Sequence, residues 1–180
     1  MTQVADMESI ATGGTEEVLT RQQFESFYNR TAPALRAYIR RVAGNAAIAD
    51  DLMQESYVRL LSAPPLADQP LKSYLYRTAT NLITDYHRAQ SRQRLWREGA
   101  PLPAEAVDSG VELGQDLERL FLLMSTQERA LLWLAYVEQA EHREIAVILG
   151  LAQGSVKVLL HRARVKMEAI LKAHGFEGPE

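Results

Sequence analysis

The last third of the chain constrains the fold most, because residues 142–170 carry the apolar spacing of two helices joined by a tight turn. In the second helical segment, apolar side chains recur at steps of four, three, four and three residues, which is the spacing of one face of an α-helix. They are Val156, Leu160, Ala163, Met167 and Ile170. Gly150 stands between the two segments and supplies the turn. The pattern predicts a helix-turn-helix.

The opposite face of the second helix is rich in basic side chains. They are Lys157, His161, Arg162, Arg164 and Lys166. A helix-turn-helix places such a helix in the DNA major groove, where cations meet phosphates and the acceptors of base edges. DNA is therefore the predicted ligand, although Arg164 and Lys166 can also form part of an ordinary solvated surface and His161 can fill a polar rim position.

No catalytic or metal-binding pattern accompanies this motif. The 180-residue chain contains no Cys, which excludes disulfides, zinc sites made of thiolates and cysteine nucleophiles. Its sequence has no glycine-rich phosphate loop, no nucleophile paired with a base and no constellation of metal ligands. We therefore expect a protein that is not an enzyme and that uses no cofactor and no metal.

The charge pattern and the apolar runs indicate where the protein acts. The N-terminal residues lack the basic region and the apolar stretch of a secretory signal, and no apolar run approaches the roughly 20 residues that cross a bilayer. We expect a cytoplasmic protein without membrane insertion. The net charge is -3, yet cations cluster in residues 87–97 and 157–166. Local basic patches on an acidic chain predict that it binds DNA only weakly by itself.

The helical spacing divides the chain into two small bundles, and no segment alternates as a strand would. The predicted fold class is all-α, with the two bundles joined by a flexible linker. The boundaries are a disordered tail at residues 1–20, a helical domain at 21–97, an acidic linker with Pro and Gly at 98–114, the helix-turn-helix domain at 115–174 and a tail at 175–180.

Turn and capping residues predict where the individual helices begin and end. The first helix is expected from Arg21 to the Gly44 turn, and the next two over residues 47–61 and 71–94. In the second domain, Ser125 and Glu128 have the spacing of a capping box, which predicts the start of another helix.

The second predicted helix carries a polar strip on one face. Its members stand at positions i, i+3, i+4 and i+7, and they are Asp51, Gln54, Glu55 and Val58. The side chains that we expect to point into the bundle are Met53, Tyr57 and Leu60. Taken by itself, such a strip is also compatible with an ordinary solvated helix face.

The third predicted helix carries polar side chains opposite its apolar stripe. They are Arg77, Asn81, Asp85 and Arg88, followed by Arg92 and the aromatic Trp96. Such groups bond to bases and phosphates, and an exposed aromatic ring can stack on an unpaired base. Two alternatives stay open, because Asn81 and Asp85 can orient neighbours within the helix and Trp96 can pack against the bundle.

Three segments in this order give the chain its resemblance to a known family. They are ADDLMQESYVRL, SYLYRTATNLITDYHR and EIAVILGLAQGSVKVLLHRAR. Over residues 21–97 and 116–174 the chain resembles the extracytoplasmic-function (ECF) group of bacterial RNA polymerase sigma factors. The resemblance implies an initiation subunit that directs core RNA polymerase to specific promoters, and it implies core RNA polymerase, promoter DNA and an anti-sigma factor as partners.

The resemblance also implies a role for each set of residues. Asp51, Gln54, Glu55 and Val58 would bind the clamp coiled coil of the largest polymerase subunit. The promoter -10 element would be bound by Arg77, Asn81, Asp85, Arg88 and Arg92. The -35 element would be bound by Gln153, Ser155, Lys157, His161, Arg162 and Arg164.

Two departures from the family pattern concern the helix-turn-helix. Val158 and Leu159 stand where relatives commonly carry Ser and Arg, a change that alters base preference or creates a protein interface. Glu141 and Ala152 stand where the usual Ser caps would be. These departures leave open a sigma-like decoy, which would sequester an anti-sigma factor without productive promoter binding. A further hypothesis, an autonomous helix-turn-helix repressor, is disfavoured by the acidic net charge.

Overall fold

The computed structural model describes residues 20–63, 70–97 and 113–176, and within these ranges it contains seven helices and no strand. They are α1 (Arg21–Ala43), α2 (Ala49–Leu61), α3 (Leu71–Arg97), α4 (Leu113–Leu122), α5 (Thr126–Tyr136), α6 (His142–Leu149) and α7 (Gln153–Ala173). The all-α prediction is confirmed. The expectations for the tails at 1–20 and 175–180, and for the linker, fall mostly on residues outside these ranges.

Local capping chemistry explains the ends of the first two helices. The hydroxyl of Thr20 accepts from the backbone N–H of Gln23, whose side chain accepts from the Thr20 N–H, and this capping box starts α1. Gly44 ends α1 in the left-handed conformation with φ of 71°. Asn45 Oδ1 then accepts from the Ala47 N–H at 2.9 Å. This turn explains why α2 begins at Ala49 rather than at the predicted residue 47.

Two other helix boundaries differ from the sequence expectation. Helix α3 continues to Arg97, beyond the predicted end at residue 94, because residues 92–97 contain no Gly or Pro to stop it. Helix α4 begins at Leu113, so it includes the last two residues that we assigned to the linker. The extension of α3 matters for function, because it lengthens the helix that carries the predicted -10 residues.

Helices α1, α2 and α3 form the N-terminal module, which buries a continuous apolar stripe of α1. The fully buried members of this stripe are Leu35, Tyr38, Ile39 and Val42. On α2, the predicted inward orientation of Met53, Tyr57 and Leu60 is confirmed. The Tyr38 hydroxyl shares a 2.7 Å hydrogen bond with Thr80, so the core contains a satisfied polar link between α1 and α3. A helix that is anchored in this way holds its outer face in a fixed orientation.

Helices α4 to α7 form the C-terminal module, and its helix-turn-helix has the expected geometry. The axes of α6 and α7 differ by 93°, and Gly150 adopts the left-handed φ of 64° that ends α6. The predicted apolar stripe of α7 is buried at Val156, Leu160 and Ala163. Neither Glu141 nor Ala152 makes a side-chain cap, as the sequence predicted.

The predicted capping box at the start of α5 is confirmed, and it also anchors α7. The Ser125 hydroxyl accepts from the Glu128 N–H, and the Glu128 carboxylate accepts from the Ser125 N–H at 2.7 Å. Lys166 Nζ donates to the same carboxylate at 2.7 Å. Burial opposes ionisation of Glu128, but the bonds from Lys166 and Ser125 outweigh it and lower the pKa of the carboxyl. Lys166 is therefore part of an internal ion pair.

The two modules pack against each other and share one hydrophobic core. Helix α3 contacts α6, and α1 contacts α5. Ser73 Oγ donates to Glu144 Oε1 at 3.0 Å, Lys72 Nζ lies 3.2 Å from Glu138, and Arg41 lies 2.9 Å from Glu118. Polar contacts of this kind surround the apolar interface between the modules.

Arg129 is the central polar residue of this interface. Its side chain is on α5 and is buried, with 6% exposure, yet its guanidinium contacts carbonyls rather than a carboxylate. Nε and Nη2 donate to the Val42 carbonyl at 2.9 and 2.7 Å, and Nη1 donates to the Met124 carbonyl at 2.9 Å. Val42 is in the last turn of α1, where carbonyls have no partner within the helix. Arg129 of the C-terminal module therefore caps the C-terminal end of α1, which belongs to the N-terminal module.

Candidate polymerase and nucleic-acid interfaces

The predicted polymerase-binding strip lies on the outer face of α2. Asp51 and Gln54 are exposed, and Val58 is 56% exposed although it is apolar. Glu55 forms a 2.7 Å ion pair with Arg59 one turn later on the same helix. The strip is thus accessible, because Met53, Tyr57 and Leu60 on the opposite face hold the helix in the bundle.

The adjacent acid Asp50 has a different role from Asp51. It forms an ion pair with the guanidinium of Arg36 on α1, with Nε 2.5 Å from Oδ1 and Nη2 3.0 Å from Oδ2. This hydrogen bond lowers the pKa of the Asp50 carboxyl. Asp50 therefore fastens α2 to α1, whereas Asp51 points away from the bundle and is available to a partner.

The predicted -10 residues form a row along the exposed face of α3. The row consists of Arg77, Asn81, Asp85, Arg88 and Arg92, all of which are exposed. The buried side chains on the other side of the helix are Leu75, Ala79 and Ile83. Asp85 lies 3.7 Å from Arg88, so the intrahelical pairing that the sequence left open is present, but both side chains remain mostly in solvent.

Two of these residues share a small pocket with a residue that the sequence did not indicate. The pocket has a volume of about 220 Å³ and is lined by Arg59, Tyr74, Arg77, Thr78 and Asn81. Arg59 comes from α2, where it also pairs with Glu55 of the predicted polymerase-binding strip. Its spacing of four residues from Glu55 was the only signal in the sequence. Arg59 therefore connects the two candidate surfaces of this module.

A second pocket follows further along α3, beside the start of α5. It has a volume of about 410 Å³, and its lining is Thr84, His87, Arg88, Ser91, Arg92 and Thr126. Burial, with a smaller contribution from Arg129, lowers the pKa of His87, so its ring is neutral at pH 7. The Thr84 hydroxyl donates to the Thr80 carbonyl at 2.9 Å, so the groups that remain are the two guanidinium groups and the hydroxyls of Ser91 and Thr126. They suit a phosphate oxygen better than a cation.

The predicted -35 residues lie on α7 and at its start, and all are exposed. They are Gln153, Ser155, Lys157, His161, Arg162 and Arg164. At 100° per residue, Lys157, His161 and Arg164 share one flank of the exposed face, whereas Ser155 and Arg162 share the other. Val158, which is 50% exposed, lies between these flanks. The centre of this predicted DNA-binding face is therefore apolar, as the departure from the family pattern suggested.

Arg164 also borders an apolar groove between α4, α5 and α7. The groove has a volume of about 800 Å³, and its apolar lining includes Leu117, Phe121, Trp133, Tyr136, Met167 and Leu171. Trp133 Nε1 is buried there without a hydrogen-bond partner among the described residues. Within the same part of the chain, no group of three or more acidic or His side chains could hold a metal ion.

Comparison with known proteins identifies the family of this chain. Residues 27–93 match the family model for Sigma-70 region 2, and residues 114–167 match that for Sigma-70, region 4. The ECF RNA polymerase sigma factor EcfG of Rhodopseudomonas palustris is 30% identical over 158 residues, which cover 82% of this chain and 86% of that protein. The chain is an ECF RNA polymerase sigma factor. The resemblance seen in the sequence is thereby confirmed.

Further relatives of this sigma factor agree with the assignment. The RNA polymerase sigma-E factor of Streptomyces avermitilis is 29% identical over 160 residues, covering 86% of this chain and 88% of that protein. Among solved structures, the sigma factor RpoE in complex with the anti-sigma factor NepR from Bartonella quintana aligns with a TM-score of 0.70 and 23% identity, covering 84% of this chain and 98% of that chain. CnrH in complex with the cytosolic domain of CnrY aligns with a TM-score of 0.61 and 23% identity, covering 86% and 90%. These likenesses support the fold.

As a sigma factor, the protein is a transcription initiation factor that works with RNA polymerase. The region 2 match spans the predicted polymerase-binding and -10 residues, and the region 4 match spans the predicted -35 residues. In the described ranges, no single helix is long and apolar enough to cross a membrane; only α6 and α7 taken together reach that length and composition, and they are bent by 93°.

Proposed function

We propose that the three exposed faces divide the work of promoter recognition. The α2 strip binds core RNA polymerase, the α3 face binds the -10 element as a single strand, and α7 binds the -35 element as a duplex. One observation carries this proposal: each predicted set is accessible on a helix whose opposite side is buried. Each set can therefore be engaged by a partner without disturbing the apolar side chains that hold its own helix in its module.

The proposal extends to partners and location. The sigma factor acts without catalysing a reaction, in the cytoplasm with its polymerase, and an anti-sigma factor regulates it. Its fold is similar to that of RpoE bound to the anti-sigma factor NepR, and the groove around Trp133 offers an apolar surface for a regulatory partner. The exposed Val158 keeps the decoy hypothesis as the second candidate.

Run-off transcription separates these two functions. Purified sigma factor and core RNA polymerase are incubated with genomic fragments, and the 5′ ends of the transcripts are sequenced. A shared promoter sequence upstream of these ends would support the proposal. Tight binding to core polymerase or to an anti-sigma factor without any promoter-dependent transcript would instead support the decoy.

Replacing the amide on α3 should impair strand opening more than initial binding. Asn81 lies in the small pocket with Arg77, which offers its amide to a base that has left the duplex. We expect Asn81→Ala to reduce the permanganate reactivity of thymines near the -10 element, with little change in the closed complex. Asn29→Ala, which removes an exposed amide from α1, is the control. Equal losses at both stages would contradict strand capture.

Replacing Lys157 should relax the choice of -35 sequence. Lys157 is exposed near the start of α7, where base edges of the major groove are within reach. We expect Lys157→Ala to cost about 1–3 kcal/mol of discrimination between cognate and mutated -35 elements. The measurement is competition binding of holoenzyme to both promoters. Lys172→Ala, at the far end of α7, should leave discrimination unchanged, and an equal effect of both variants would show that only charge matters.

A further inference from the structure

Trp96 is the most exposed large apolar side chain in the described residues. It is 91% exposed near the end of α3, so the alternative in which it packs against the bundle is wrong. A Trp ring has a large apolar surface, which is usually covered when a protein is bound to its partners. Trp96 also lies beyond residue 93, where the match to the region 2 family model ends.

The register of α3 places Trp96 on the face that carries the predicted -10 residues. Asn81, Asp85, Arg88, Arg92 and Trp96 are separated by steps of four, three, four and four residues. At 100° per residue, these five positions fall within an arc of about 80°. The row of predicted -10 residues therefore continues to Trp96, one turn beyond Arg92.

Between Asn81 and Trp96, the part of the surface around Arg88 and Arg92 is complementary to a nucleic-acid backbone, and the Asp85 carboxylate, 3.7 Å from Arg88, lies outside this pocket. Among the described residues, the pocket that contains Arg88 and Arg92 has no carboxylate in its lining, and it adds the hydroxyls of Ser91 and Thr126 to the two guanidinium groups. Proteins that bind single-stranded DNA combine cations and hydroxyl groups with exposed aromatic rings. The cations and hydroxyl groups bind the phosphates, and the bases stack on the rings.

We propose that Trp96 stacks on an unpaired base of the DNA strand whose other end is held at Asn81. The fifteen residues from Asn81 to Trp96 correspond to about 22 Å of helix, or about six nucleotides at 3.4 Å each. This inference rests on the proposed role of α3 in binding the -10 element. It adds a second contact point, so that the strand is bound at Asn81 and at Trp96. Between these two residues, Arg88 and Arg92 would bind the phosphates of the strand.

The test uses holoenzyme made from the full chain and core RNA polymerase. The probe is a single-stranded oligonucleotide with the non-template sequence of a promoter that this holoenzyme transcribes, and it carries 5-iodo-deoxyuridine at one position at a time. Photocrosslinking then identifies the base next to each aromatic residue. We expect a crosslink to Trp96 about six nucleotides from the base that requires Asn81.

Affinity measurements with two variants complete the test. Trp96→Ala should weaken oligonucleotide binding by roughly 5- to 150-fold, whereas Trp96→Phe should retain most of the affinity because it keeps a ring. Val165→Ala, which removes an exposed apolar side chain from α7, should have no effect. Equal affinities for Trp96→Ala and the unchanged protein would overturn the inference.

Three other outcomes would also overturn the inference, and they differ from a failure of the proposed function. If Trp96→Ala weakens binding to core RNA polymerase without DNA, the ring contacts protein rather than a base. If the ring crosslinks to no position, stacking does not occur. If the unchanged holoenzyme opens no promoter, both the proposed role of α3 and the stacking inference are wrong. If the Trp96→Ala holoenzyme opens promoters normally, only the stacking inference is wrong.

Discussion

Asp51→Arg is expected to abolish binding to core RNA polymerase while the fold stays intact. Asp51 is exposed on α2 and, within the described residues, has no ion pair, so its replacement breaks no ion pair. It stands in the first turn of α2, where exchanging an acid for a cation costs only about 0.3–1 kcal/mol of helix stability. Reversing a charge inside an interface places like charges together, which costs several kcal/mol. We expect the dissociation constant to rise by at least about 100-fold. The measurement is titration of fluorescently labelled polymerase with the sigma factor.

The control for Asp51→Arg is a charge reversal elsewhere in the same module. Glu25 is an exposed acid of α1 that contacts only Arg21 among the described residues, so Glu25→Arg tests the effect of net charge alone. Both variants should keep the helical circular dichroism signal, and Asp51→Arg should lower the unfolding midpoint only slightly, because it replaces an acid in the first turn of α2 by a cation. If Asp51→Arg binds polymerase as tightly as Glu25→Arg does, the polymerase-binding face has been assigned to the wrong surface.

Arg129→Met should lower the free energy of unfolding and loosen the contact between the modules. The exchange keeps an unbranched apolar stem but leaves the carbonyls of Val42 and Met124 buried without the donors that they now have. An unsatisfied buried polar group costs about 1–3 kcal/mol, so we expect a loss of about 3 kcal/mol for the two carbonyls. Urea unfolding followed by circular dichroism measures this loss.

Solution scattering then shows whether the modules have separated. We expect Arg129→Met to increase the radius of gyration, because Arg129 is the buried polar link between α5 and α1. The control is Arg143→Met, which makes the same exchange at an exposed position of α6. An Arg129→Met protein that is as compact and as stable as the control would show that the apolar contacts alone hold the modules together.

Most of the helices could be predicted from the sequence, because their signals are local. The 3.6-residue periodicity, the capping box of Ser125 and Glu128, and the left-handed Gly44 and Gly150 all act within one or two turns. The packing between modules could not be predicted in this way. In the sequence, nothing distinguishes Arg129 from an exposed charged residue of a helix. It is buried because the C-terminal end of α1, which is distant in sequence, packs against α5.

The candidate sites were predictable to the extent that each lies on a single helix. The spacing of Asp51 and Glu55, or of Asn81 and Asp85, already places their side chains on one face. Residues that join a site from another element could not be found in this way. Arg59 reaches the pocket of Asn81 from α2, and Thr126 reaches the pocket of Arg88 from the other module. The exposure of Trp96 likewise depends on what the rest of the fold leaves uncovered.

The close packing of the two modules limits how much DNA the protein can span. On α3, Asn81 is eight residues from Ser73, and Ser73 donates a hydrogen bond to Glu144 of the other module. Glu144 in turn is thirteen residues before Lys157. This path keeps Asn81 and Lys157 within about 50 Å. Elements centred 10 and 35 base pairs upstream of a start site are about 25 base pairs apart, or about 85 Å at 3.4 Å per base pair. The distance between Asn81 and Lys157 in the packed chain is therefore shorter than the distance between the two promoter elements. If these residues bind the two elements at the same time, the modules have to move apart to make up the difference.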